Sequence, residues 1–157
     1  VAFREARIVG VVIERRRLAH AWADEAWAPV AVLPEPLGDE WRLLRDADGR
    51  AQLYAGTLPL ELFRKETGSY KYNLETGGKV YVALRPTGKA ERPFVPSLAT
   101  VAPDEGQAAM EGGETIVEAV PMPPEIRAWV QRFVDEHHVD EPFYKRQRRR
   151  HDAERPQ

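Results

Sequence analysis

The sequence predicts an α+β fold, mainly an antiparallel β-sheet or a small β-barrel of about seven strands, with one C-terminal amphipathic helix. Three observations point there. Short segments rich in β-branched residues follow one another with turn residues between them, and no regular α/β alternation appears. Ala47-Asp48-Gly49 separates two such segments, and an Asp-Gly pair supplies the positive φ angles of a tight hairpin turn. After Pro124 the apolar residues change their spacing from that of a strand to that of a helix.

The first segment, ARIVGVVIERRRL, is apolar on both alternating faces between Ile8 and Ile13, the pattern of a strand covered on both sides. WAPVAVLP follows, where Pro29 and Pro34 point to an edge position or to strand ends. WRLLRD and RAQLYAG are the arms of the hairpin. The second arm continues as TLPLELFRKE, with Leu58, Leu60 and Leu62 on one face and a bulge or kink expected from Gly56 and Pro59. TGSYKYNLETGG reads as a turn or a short helix, and KVYVALR as a strand. The Pro-rich RPTGKAERPFVP is a loop leading into a weaker strand, FVPSLATV. PDEGQAAMEGG holds about two turns of helix, because Pro103, Asp104 and Glu105 suit a first turn. ETIVEAV is the last strand. In the final helix Ile126, Trp129, Val130, Phe133, Val134 and His137 form one stripe, opened by Pro123 and Pro124 and closed by Pro142.

A chain of 157 residues with 43% hydrophobic and 31% charged residues is long and apolar enough for one domain with its own core. We place that domain at residues 1–141 and a basic, flexible tail at 142–157. There are no cysteines, which excludes disulfides, zinc ribbons, cysteine-ligated clusters and thiol nucleophiles. No apolar run approaches the ~20 residues that span a bilayer, and a cytoplasmic location is expected. The tail carries six Lys or Arg against two acids, a local +4, so the overall charge of −2 leaves −6 on residues 1–141. An acidic body with a basic tail is not the pattern of a nucleic-acid-binding domain, whose basic surface belongs to the fold.

Few residues are arranged for chemistry. Gly77-Gly78-Lys79 ends like a phosphate loop, but Val80 stands where Ser or Thr should follow and the stretch runs into a strand. Neither Ser69 nor Ser97 lies in a nucleophile turn, so no catalytic residue is assigned. His137 and His138 are consecutive and point about 100° apart on a helix, so they cannot both face one ion, and no metal site is expected. They suit the end of a helix, where cationic side chains meet the negative pole. The partner-binding candidates are therefore Trp129, Phe133, His137 and His138 on the helix, with Phe143, Tyr144, Lys145, Arg146 and Arg148 after it. An apolar anchor followed by cations suits docking on an acidic protein surface. A weaker ligand-binding set is Arg15, Arg16, Arg17, Arg64 and Lys65, cations able to hold phosphate or pterin groups.

Several segments together resemble a known family: GVVIERRRL, WADEAWAPVAVLP, LYAGTLPLELFRKETGSYKYNL, VYVALRP and VPMPPEIRAWVQRFVDEHHVDEPFYKR. The chain is similar over residues 8–146 to an uncharacterised bacterial family encoded beside molybdenum-dependent formate dehydrogenase genes. Some of its members carry the label molybdopterin-guanine dinucleotide biosynthesis protein A. Guanylyltransferases of that label follow their first strand with a glycine loop, whereas ERRRLAHAW contains no glycine. The resemblance thus implies a pathway rather than that reaction. It implies an accessory protein, acting in assembly, maturation or regulation, that binds formate dehydrogenase or one of its maturation proteins. The alternative is a molybdenum-cofactor or nucleotide-binding protein or enzyme of the same pathway. No resident cofactor is expected, the molybdenum cofactor being at most a bound cargo.

Overall fold

A computed structural model describes residues 4–20, 23–113 and 115–140. Among these residues seven antiparallel strands form two open sheets, so the sheet reading holds and no closed barrel forms. The larger sheet has the order β2-β1-β4-β3, with β1 at Arg4–His20, β2 at Ala23–Leu33, β3 at Arg42–Ala47 and β4 at Arg50–Phe63. The smaller has the order β6-β5-β7, with β5 at Lys79–Pro86, β6 at Phe94–Thr100 and β7 at Ile116–Pro121. Three α-helices accompany them: α1 at Thr67–Glu75, α2 at Pro103–Met110 and α3 at Pro124–His137.

The expected turn is present. Asp48 and Gly49 both have positive φ, 54° and 76°, which matches the twist of the β3–β4 hairpin. β2 occupies an edge, as its prolines require. The bulge expected near Gly56 is found where Val11 pairs with Gly56 and Val12 with Tyr54, leaving Ala55 as the extra residue. A second bulge places Val12 against Ala31 and Ile13 against Pro29. The two bulges, in β4 and in β2, thus flank one point of β1 and increase the twist of the sheet there.

That point divides β1. From Val11 to Ile13 both faces are buried, as the apolar run predicts. At Ile8 the prediction fails, since this side chain is 51% exposed. The register explains why: Glu5 and Arg7 pair with Leu62 and Leu60, both fully buried, while Ile8 pairs with Pro59. Paired residues share a face of the sheet, so the charged Glu5 and Arg7 stand on the core side and Ile8 on the outer side.

α3 buries Ile126, Trp129, Val130, Phe133 and Val134, the stripe read from its spacing. The His137 side chain continues that stripe and is only 9% exposed. Pro142 does not end the helix, however. His138 already turns to extended backbone, φ −80° and ψ 136°, because its ring is held outside the helix. α1 is fastened by Asn73, which is buried. Its amide donates to the carbonyls of Lys79 and Val101, each at 2.8 Å, and its oxygen accepts from the Lys79 N–H at 2.9 Å. Among the described residues no helix is long and apolar enough to cross a membrane.

Candidate functional site

β4 ends in a single 3₁₀ turn, Arg64–Glu66, that leads directly into α1. The C-terminal end of α3 packs beside this junction, and an open groove of about 550 Å³ lies between them. Arg64, Lys65, Thr67, Gly68, His137, His138 and Val139 line it. Tertiary packing therefore brings together residues read from sequence as two separate sets: Arg64 and Lys65 from the ligand set, His137 and His138 from the partner set.

His138 is the hinge of the groove. Its Nδ1 lies 3.0 Å from Thr67 Oγ1 and its Nε2 lies 2.9 Å from Asp140 Oδ1. Thr67 Oγ1 also lies 3.0 Å from the Arg64 carbonyl, to which it donates. A carbonyl and a carboxylate only accept, so all three bonds form at once only when the imidazole carries both protons; the neutral ring sustains two. His138 thus locks the start of α1 to the segment leaving α3. Val139, next in the chain, is 81% exposed at the lip of the groove.

His137 turns the other way, with its ring 4.5 Å from that of Phe133 and its Nε2 3.8 Å from Glu136 Oε1. Trp129 and Phe133, from the partner set, are buried in the core, where they support the helix and present no surface to a partner. The Trp129 indole N–H donates to Glu5 Oε1 at 2.8 Å, and the Arg7 guanidinium lies 5.0 Å from the indole centroid.

On the far side of Lys65 a second hollow of about 560 Å³ is lined by Phe63, Glu66, Tyr70, Ala102, Asp104 and Glu105. The Tyr70 hydroxyl accepts the Phe63 N–H at 2.9 Å. Burial pushes its pKa up to about 12, against a smaller lowering by that hydrogen bond and with further raising by Glu66, Glu105 and Glu61.

Arg15, Arg16 and Arg17 are not part of this site. They lie toward the opposite end of β1, where Arg15 pairs with Glu25 at 3.8 Å and Arg17 is exposed. Arg16 borders a separate hollow of about 350 Å³, shared with Glu14, Trp27 and Glu118. The remaining candidates, Phe143, Tyr144, Lys145, Arg146 and Arg148, lie outside the described residues. Sequence reasoning did not reach Glu5, Thr67, Glu136, Val139 or Asp140. Only Glu5 left a signal: the Glu5-Arg7-Val9-Val11 alternation places it on the same strand face as two core valines.

Fold and site define a two-sheet α+β protein whose closing helix ends in a groove bordered by cations and histidines. The chain belongs to the family described as "Protein of unknown function (DUF3305)", whose model matches residues 8–148. No curated protein and no solved structure matches it.

Proposed function

We propose that this protein is an accessory protein for molybdenum-dependent formate dehydrogenase, acting by protein binding in its assembly, maturation or regulation. The groove at the end of α3 carries this reading. Lys65 and His138 border it, Val139 stands exposed at its lip, and the chain leaves it toward Phe143-Tyr144-Lys145-Arg146. A cationic rim with an apolar projection and an aromatic-cationic continuation suits an acidic surface that offers an apolar hollow. The partner would be the dehydrogenase or one of its maturation proteins, met in the cytoplasm. Trp129, Phe133 and the largely buried His137 position the helix end, and contact falls to His138 and the residues after it.

A second reading, a protein that binds the molybdenum cofactor or a nucleotide, is favoured by one observation. Arg64 and Lys65 open the turn that leads through the N-cap Glu66 into α1, whose first-turn amides and positive pole suit a phosphate. One experiment separates the two readings. Full-length protein, protein truncated after Glu141 and a Phe143→Ala/Tyr144→Ala variant serve as baits in cells expressing the formate dehydrogenase operon. Bound proteins and bound pterins or nucleotides are then identified. The accessory reading expects the dehydrogenase or a maturation protein with full length and at least a tenfold loss with either variant. Equal recovery with all three baits removes the tail from the interface. Recovery of a pterin or nucleotide with no protein partner overturns the accessory reading in favour of the second.

A further inference from the structure

The geometry points to a divalent transition-metal site formed by Glu5, Glu136 and His137, clamping the start of β1 to the end of α3. One ligand atom from each residue lies within 4.8 Å of the other two. The spacing argument against a metal concerned neighbouring histidines on one helix. Glu136 and His137 are consecutive as well, but the long glutamate side chain brings its Oε1 within 3.8 Å of His137 Nε2, and the third donor comes from a strand far away in sequence.

Three features distinguish this cluster from a chance meeting of surface carboxylates. His137 has a side chain only 9% exposed, yet among the described residues it makes no hydrogen bond; its polar contact is the 3.8 Å approach of Nε2 to Glu136. A buried imidazole nitrogen without a hydrogen-bond partner is costly unless something else occupies its lone pair. Glu5 stands on the core-facing side of β1, and the Trp129 indole N–H binds its Oε1 at 2.8 Å, leaving Oε2 available. A hydrogen bond that fixes the orientation of a ligating carboxylate is the usual outer support of a metal site. Finally, two carboxylates are held close together, and among the described residues neither Glu5 nor Glu136 is paired with a Lys or Arg; the nearby Arg7 guanidinium lies over the indole ring.

Donor chemistry sets the class of ion. One imidazole nitrogen with two carboxylate oxygens suits zinc, cobalt, manganese or ferrous iron, whereas magnesium and calcium prefer all-oxygen sites. Donors bound at about 2.1 Å and roughly tetrahedral angles lie about 3.5 Å apart, so the cluster must contract by about an ångström. Glu136 is exposed and its side chain is free to supply that movement. Three protein donors leave at least one position for water or for a group brought by a partner.

The test is calorimetric titration of the full-length protein with zinc chloride and, separately, cobalt chloride, with magnesium chloride as control. Visible cobalt absorption reports the coordination geometry. The expected result is one ion per chain, a raised melting temperature with zinc, and no response to magnesium. Glu5→Gln keeps an oxygen for the Trp129 indole, and Glu136→Gln lies on the surface, so both variants should fold. Each should weaken zinc binding at least tenfold and change the cobalt spectrum. Zinc affinity unchanged in both variants places the ion elsewhere, for instance on His20 or His151, and overturns the proposal. Absence of stoichiometric binding to the parent protein overturns it as well. Neither result depends on the formate dehydrogenase interaction, which the bait experiment reads separately.

Discussion

Glu5 and Arg7 at one end of β1, and Arg15, Arg16 and Arg17 toward the other, are charged residues on a single strand, their centres separated by roughly 30–35 Å. At the first end α3 reaches over the strand, so Glu5 and Arg7 meet the two polar aspects of one buried tryptophan, its N–H and its ring face. At the second end the charges find partners within the sheet. Arg15 meets Glu25, and Glu14 receives Arg50 at 3.3 Å and Gln52 at 3.4 Å. The difference teaches that coverage decides what a charge does. Under a helix it becomes a fixed element of the core boundary, and on an open sheet it remains a solvated, interchangeable surface group.

The sharpest way to break this comparison is Trp129→Ala. Removing a buried indole should cost about 3–5 kcal/mol, because it opens a cavity and takes away the donor to Glu5. Denaturant unfolding checks the value, and a cost under about 1 kcal/mol would show that the helix end does not depend on this contact. Trp129→Phe separates the two contributions, since it keeps most of the volume and removes the N–H.

Asn73→Ala comes next, at about 2–3 kcal/mol, because three backbone groups of β5 and the segment after β6, one buried and two partly buried, lose their partner at once. Its effect should appear equally in thermal and denaturant unfolding, with faster amide exchange at Lys79.

A third effect is confined to alkaline solution. The Tyr70 hydroxyl has its pKa raised to about 12 by burial, from 10 in the unfolded chain. Between these values the folded state holds more protons than the unfolded state. The stability contributed by protonated Tyr70 is therefore complete below pH 10 and lost as pH rises toward 12. Melting temperatures should fall across that interval, and Tyr70→Phe should remove this component of the fall.

The smallest effects belong to the open end of β1. Glu25→Ala should change stability by less than about 0.5 kcal/mol, since its pair with Arg15 is long and partly exposed. Arg16 lies directly opposite Arg50, and like charges in that register repel, so Arg16→Thr should stabilise by a few tenths of a kcal/mol. If either substitution cost as much as Asn73→Ala, the far end would be a built site rather than a solvated one.

The sequence by itself determined the elements whose cause is local. Period-two alternation, the Asp48-Gly49 turn, the edge position of β2 and the apolar stripe of α3 each follow from the geometry of a few neighbouring residues. The seven strand segments, from ARIVGVVIERRRL to ETIVEAV, were legible in the same way. Only the tertiary structure decided which face of β1 turns inward before the bulges, and so why Ile8 is exposed while Glu5 and Arg7 face the core. Only packing ended α3 at His137, because the His138 ring bonds a threonine 71 residues earlier. Packing also joined Trp129 to Glu5 across 124 residues. Side-chain spacing along a chain encodes the direction in which each residue points. It does not encode which distant element stands in that direction, because that depends on how two sheets and three helices share one core.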